Sequence, residues 1–428
     1  MSQKELKREI GLFGLSANIV NMVIGAGIFA LPAVIAVELG SASIFAYLFC
    51  GLLVALVMLC FAEVGSKITD SGGAYAYIKV AFGPYFGFIT MILFTLSGIA
   101  ADAAVANAVA GILGSIHPVF QSAIGKIALF VALFGTLAAF NVVGVKEGIG
   151  IVKLFTVAKV FPLFALILFS WGNVNFSFLA IDTTFTFSEI GQASLLLFFA
   201  FQGAESALSI SGEVKNPQKT IPKAIFLGIA FILIFYMSIQ TVTQGVLGSE
   251  LPNFKENPLS QVAGVVFGPI GFTLITIGAG VSMLGNLSSE VLSMPRVIFQ
   301  ASKDKLIPIE VFSRIHQRFA TPYVAVITYA ALGFIFAVSG GFRQLAIISN
   351  VSILLVYLGV VLSLIFLRRR ERVKIQGFRV PGGYLVPIAA AIIILWLLSH
   401  MAIEEYKVMG FIIAGLSIIY YLQQRFKK

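Results

Sequence analysis

The sequence predicts an all-α membrane protein of about 12 transmembrane helices, arranged as a 5+5 inverted repeat with broken helices 1 and 6, plus helices 11 and 12. Three observations predict it. The 428 residues are 59% hydrophobic and 11% charged, against roughly 45–50% and roughly 25% in an ordinary soluble domain, so lipid must solvate most of the chain. Positive charge gathers on alternate connections between the apolar stretches. Glycine interrupts two of those stretches, five helices apart.

Apolar runs near the ~20 residues that cross a bilayer fall at 12–38, 42–66, 84–114, 124–143, 149–170, 189–212, 221–247, 265–294, 321–339, 345–367, 384–401 and 408–424. The first follows a basic N-terminus. It is longer than the apolar region of a signal peptide and many spans follow it, so it stays as helix 1. Helix 2 holds both cysteines, Cys50 and Cys60, which leaves no disulfide framework and no Cys/His metal cluster. A loop containing Ser71-Gly72-Gly73-Ala74-Tyr75-Ala76-Tyr77 leads to helix 3, which opens at Phe82-Gly83-Pro84 and carries Asp102. Helix 5 carries Lys159. Helix 6 is interrupted at Gly203 and exits through Lys215-Asn216-Pro217 into helix 7. Helix 8 opens at Phe267-Gly268-Pro269 and helix 9 at Thr321-Pro322; helices 10 to 12 are defined by hydropathy alone.

The formal charge of +10 raises the question of a nucleic-acid partner, and the placement of the charges excludes it. With the N-terminus inside, 24 of the 29 lysines and arginines fall on internal segments, and four, Lys126, Lys255, Arg343 and Lys407, on external ones. Only Lys159 remains, deep within helix 5. Such a bias puts both termini in the cytoplasm and requires an even number of spans.

The stretch Val80 to Phe88 that opens helix 3 resembles Val265 to Phe272 at the start of helix 8. The glycine interruptions, Gly25-Ala26-Gly27 in helix 1 and Gly203 in helix 6, share that five-helix offset: Gly83 to Gly268 is 185 residues and Gly27 to Gly203 is 176. Because five is odd, the two units run in opposite directions through the membrane. The expected division is therefore 1–170, 171–370 and a remainder of 371–428. Interrupted helices at corresponding places in inverted repeats point to a transporter's binding site near the midplane.

Unwound backbone survives in hydrocarbon only where it lines a cavity or is buried in protein, since each unpaired group costs several kcal/mol. Amides at a half-helix N-terminus suit a carboxylate, and the carbonyls that end the other half suit an ammonium. A zwitterionic amino acid satisfies both. Gly25-Ala26-Gly27-Ile28-Phe29-Ala30 also fits the dinucleotide pattern GxGxxA, but no strand precedes it and no ribose-binding acid follows about 20 residues on. No GxSxG, HExxH or P-loop pattern is present, and His117, His316 and His400 are scattered, so an enzyme has no support. A channel needs a continuous pore lining, usually from symmetric assembly; a receptor-like membrane protein has no feature of its own here.

Ile24-Gly25-Ala26-Gly27-Ile28-Phe29-Ala30-Leu31-Pro32 resembles the G-[SA]-G-[IV]-F-x-x-P signature of the amino acid, polyamine and organocation superfamily. Ser71 to Tyr77 followed by Phe82-Gly83-Pro84 resembles that family's S-G-G-x-Y-x-Y…F-G-P, with Thr69 where many members have proline. Phe199 to Ser206 through Pro217 is similar to the arginine/agmatine antiporter branch, and Lys303 to Pro308 followed by Thr321-Pro322 also fits the family. The resemblance implies a secondary active transporter of amino acids working by alternating access, sodium-independent, and either proton-coupled or exchanging. The alternative within the family is a polyamine or cationic amino acid antiporter.

It implies a substrate site at Ile24, Gly25, Ala26, Gly27, Asp102, Phe199, Phe201, Gln202, Gly203 and Glu290. It implies coupling at Lys159, Glu205, Ser288 and Ser289: Lys159 would replace a sodium ion, reaching helix 1 carbonyls and the serine hydroxyls, and would carry a proton. Asp102 and Glu290 stand where the antiporter has neutral groups, which suggests a cationic side chain or a polyamine. The structural alternatives are a Lys159–carboxylate pin, a Glu205 that caps frayed backbone or pairs with Lys159, and a Glu290 tied to Arg296. Phe199 and Phe201 flank the helix 6 break, where a ring can gate the substrate. No cofactor or metal is implied. The expected partners are a small amino acid or amine, protons and the lipid bilayer of the cell membrane; the oligomeric state stays open.

Overall fold

The computed structural model describes residues 10–68, 73–143, 149–181, 185–207, 214–307, 309–370 and 378–426. Thr69, Ser71 and Gly72 of the second motif and Pro308 of the last lie outside them, as do the lysines of the N-terminal segment.

The described residues form helices and no strand, apart from a single bridge between Ile10 and Val214. Span 1 is two helices, α1 (Leu12–Val23) and α2 (Ala26–Leu39). Span 2 is α3 (Ser43–Lys67), and a short α4 (Ala74–Phe82) leads into span 3, α5 (Pro84–Ile116). Spans 4 and 5 are α6 (Ala123–Val143) and α7 (Ile149–Ser170). Span 6 comprises α8 (Phe187–Leu197), a 3-10 turn at Phe198–Phe201, and α9 (Ala204–Ala207). The remaining spans are α10 (Pro217–Leu247), α11 (Pro258–Lys303), α12 (Tyr323–Ser339), α13 (Phe342–Arg370), α14 (Leu385–Leu398) and α15 (Ile403–Phe426).

Among the described residues seven stretches are long and apolar enough to cross a membrane, one of them running from Ala26 on α2 through Lys67 at the end of α3. In spans 1 and 6 the breaks leave short helices, α1 of 12 residues and α8 of 11. Phenylalanines on α7 and α15 point outward, Phe161 at 68% and Phe411 at 77% exposure, as lipid-facing positions should. Inside, α5 packs along α13, α11 and α12, while α10 packs on α3 and α1. The core therefore lies between α5, α13 and the two broken spans.

Residues 74–82, which the sequence reading leaves in a loop, form α4, and Ala74 to Ile78 are buried. Their two tyrosines and small alanines form an inward face over nine residues, too short to read as a span. Likewise α11 begins at Pro258 rather than 265 and bends at Gly268 (φ 71°, ψ −164°) just before Pro269. Gly83, before Pro84, has nearly the same backbone (φ 94°, ψ 179°). Each Phe-Gly-Pro thus ends a short helix and starts a span, with proline at the first helical position where its missing N–H costs nothing.

At the α3 terminus, Glu63 is fully buried and accepts from Arg368 Nε at 2.9 Å, from the Val380 amide at 2.7 Å and from Lys67 Nζ at 3.2 Å. This satisfied charge cluster ties α3, α13 and the segment before α14 together; a buried ion tolerates its loss of water only when so paired.

Candidate functional site

Both glycine interruptions are true breaks, and they face each other. The α1 helix ends as Ile24 turns extended (φ −73°, ψ 94°), and Gly25 precedes α2 without any side-chain cap. In span 6 the chain tightens to a 3-10 turn, Gln202 is extended (ψ 160°), and Gly203 takes a positive φ of 109°. A Cβ on Gly27 would stand 2.6 Å from the Ala200 Cα, and one on Gly203 would stand 2.6 Å from the Met22 carbonyl oxygen. Only glycine permits this closeness, at Gly203 for its conformation as well.

The freed backbone finds partners one by one. Tyr236 on α10 donates its hydroxyl to the Val23 carbonyl at 3.1 Å, and Asn286 Nδ2 on α11 reaches the Met22 carbonyl at 3.4 Å. Around the span 6 break the donors run in one direction. Ser97 on α5 donates to the Ser349 carbonyl (3.1 Å), and the Ser349 hydroxyl donates to Gln202 Oε1 (3.0 Å). The Gln202 amide donates to Asn350 Oδ1, and Asn350 Nδ2 donates to the Leu195 and Leu196 carbonyls at 2.6 and 3.2 Å. Glu205 accepts the Gly203 amide (3.1 Å) and the Tyr357 hydroxyl of α13.

A cavity of about 50 Å³ lies where the breaks meet. Gly25, Ala26 and Gly27 line it from span 1, and Phe199, Gln202, Gly203, Glu205 and Ser206 from span 6. Ser97, Gly98, Ala101, Asn286 and Glu290 contribute from α5 and α11. The N-terminus of α2, which no side chain caps, thus borders the cavity, a favourable place for negative charge.

The remaining residues singled out in the sequence lie near this cavity without all lining it. Ile24 is fully buried beside the break. Phe201 is not on the cavity; it packs on Tyr236 (ring centroids 5.2 Å) and Tyr47 (6.4 Å), because the 3-10 turn separates it from Phe199. Phe199 lies against Phe342 edge-on at 5.5 Å. Phe342 in turn lines a second cavity of about 370 Å³ with Lys126, Lys255, Glu256 and Arg343. Arg343 is paired with Glu38.

Asp102 is fully buried behind Ala101, its Oδ2 accepting the Tyr329 hydroxyl at 2.9 Å. Glu290 lines the cavity and lies within electrostatic reach of Asp102 and Glu205. Arg296 donates to the Leu292 carbonyl and forms no ion pair with Glu290 among the described residues. Lys159, 6% exposed, lies along α11 at Gly285, where a Cβ would be 3.5 Å from its Cε. Among the described residues no carboxylate pairs with it. Ser289 donates to the Gly285 carbonyl at 3.0 Å, and Ser288 is half-buried on the same stretch. One segment of α11, 285–290, therefore meets Lys159, the span 1 break and the cavity in turn. No three His, Cys, Asp or Glu side chains among the described residues are placed to hold a metal.

Asn286, Ser97, Ser349, Asn350, Tyr236 and Tyr357 were not singled out by sequence reasoning. The available signal was their polarity: amides and hydroxyls within apolar spans face the protein interior.

The comparison with known families decides the assignment, since the amino acid permease model matches residues 10–421. The chain belongs to the amino acid permease family. It is a multi-pass membrane transporter, not an enzyme. The permease is 29% identical to the serine/threonine exchanger SteT of Bacillus subtilis (strain 168), over 98% of both chains. It is 26% identical to the branched-chain amino acid permease BcaP and 27% identical to the methylthioribose transporter of the same organism, each over 99% of this chain and 94% of the relative. The family signature in span 1 is the segment that forms the α1–α2 break.

Proposed function

We propose that this permease moves amino acids across the cell membrane by alternating access, without sodium, the substrate sitting in the cavity between the two breaks. The observation that carries this reading is the α2 N-terminus, which no side chain caps and whose residues Gly25–Gly27 line that cavity. They would receive the substrate carboxylate. The carbonyls ending α1 and the carboxylate of Glu205 supply the complementary pole for its ammonium.

In this reading the chain comprises units 1–170 and 171–370 of opposite topology with 371–428 appended, and both termini are cytoplasmic. The matching backbone of Gly83-Pro84 and Gly268-Pro269 supports the repeat. Lys159 occupies the place of a coupling cation: it is buried beside α11, unpaired with any described carboxylate, and α7 also packs on α1. Its ammonium carries a proton in and out as the site alternates. The names of the relatives, an exchanger among them, support amino acid exchange as one mode.

Uptake into proteoliposomes across a panel of amino acids tests the function. Saturable uptake accelerated by internal substrate supports a transporter that exchanges, and saturable uptake driven by a pH gradient supports symport. Non-saturating flux without trans-stimulation would instead indicate a channel.

A further inference from the structure

Two carboxylate oxygens beside the central cavity have no partner: Asp102 Oδ1 and Glu290 Oε2 are both buried and accept no hydrogen bond. At Glu63, by contrast, Arg368, Lys67 and a backbone amide all converge on the buried charge. At the cavity no arginine or lysine of the described residues plays that part. Arg296 is turned to its own helix and Lys159 faces Gly285. An ionised, uncompensated carboxylate at membrane depth costs several kcal/mol unless a cation or a proton neutralises it.

We propose that Glu290, backed by Asp102, receives a second positive charge on the substrate, so that the permease carries amino acids with a cationic side chain. This inference rests on the transport function proposed above and names its substrate class. The substrate carboxylate lies on the α2 amides and the side-chain ammonium or guanidinium at Glu290, with Phe94 and Phe199 lining the space between. Tyr329 is a positioning residue: its buried hydroxyl holds Asp102 Oδ2 and leaves Oδ1 without a partner. The amide pole favours an amino acid over a polyamine, which has no carboxylate to place there. The absence of a three-ligand cluster among the described residues favours an extended organic cation over a metal ion.

The test is competition for site occupancy on the full-length protein in proteoliposomes, with L-lysine, L-ornithine, L-arginine, putrescine, L-serine and L-leucine. The expected result is that the three cationic amino acids displace label at concentrations at least about tenfold lower than serine or leucine, a difference of about 1.4 kcal/mol. Putrescine should compete less well than ornithine. Glu290→Gln, nearly the same size, should narrow the lysine-to-serine ratio by about tenfold, and Tyr329→Phe should raise the KM for lysine more than that for serine.

Serine or leucine competing as well as lysine overturns the proposal while leaving amino acid transport standing; the acidic pair then holds only a proton. Putrescine outcompeting ornithine overturns it in favour of a polyamine carrier. Failure of every compound to compete overturns both readings. Because the wild-type selectivity is itself decisive, a variant that fails to fold does not remove the test.

Discussion

Asn286 stands against the span 1 break: its amide donates to the Met22 carbonyl at 3.4 Å, and a Cβ on Gly25 would meet the same side chain at 3.2 Å. The break is thus held open by a residue of α11. Asn286→Ala leaves the Met22 carbonyl without its donor at membrane depth, a loss of about 1–3 kcal/mol. A fall in thermal stability in detergent, together with weaker substrate protection against unfolding, is the expected outcome; an unchanged melting profile would remove Asn286 from this role.

Gly27 and Gly203 bring the two breaks within backbone contact. Gly27→Ala places a methyl 2.6 Å from the Ala200 Cα, and Gly203→Ala adds the strain of a positive φ to a 2.6 Å clash with the Met22 carbonyl. Both should reduce uptake severely. Gly203→Ala should also destabilise the fold by about 1–3 kcal/mol through its backbone alone, so expression and thermal unfolding are expected to fall further for Gly203→Ala than for Gly135→Ala, whose surroundings are open.

Phe199 lines the central cavity and packs on Phe342, which lines the larger space together with Lys126, Lys255 and Arg343. Phe199→Ala should join the two and raise the KM for uptake by about tenfold or more, by loss of a buried aromatic contact worth a few kcal/mol. A cysteine introduced at Ser97 should then react with an external membrane-impermeant thiol reagent faster than in the wild-type background. Equal rates would show that Phe199 is packing rather than a barrier.

Lys159 is expected to link transport to protons. Uptake by Lys159→Ala should lose its acceleration by an inward proton gradient while wild type retains it. An identical response in both would assign the proton to another group, and Glu205 with its Gly203 and Tyr357 partners is the next candidate.

Much of the architecture was legible because membrane physics writes it at low resolution. Twelve apolar runs, one-sided charge and glycines at matching offsets do not depend on which side chains touch. The break residues were legible for the same reason, since Gly25 and Gly203 announce themselves as interruptions. The network that satisfies the breaks was not. Asn350 and Ser349 lie far along the chain from Gln202, and nothing in an isolated serine or asparagine states which carbonyl it will serve. Phe201 shows the opposite failure: two positions from Phe199, it looks equivalent until the 3-10 turn carries it into the packing between Tyr47 and Tyr236. The α4 helix was missed because nine residues leave too little periodicity to distinguish a helix from a tyrosine-rich loop.

The twin Phe-Gly-Pro turns impose a requirement of handedness rather than of size. A Cβ at Gly83 or Gly268 would meet nothing within 4 Å, yet both residues occupy backbone that L-amino acids avoid, at φ 94° and φ 71°. Chirality alone reserves these two positions for glycine. Semisynthetic protein carrying D-alanine at Gly83 would keep the turn intact where L-alanine distorts it, so mirror-image substitution separates the demand of handedness from the demand for a glycine.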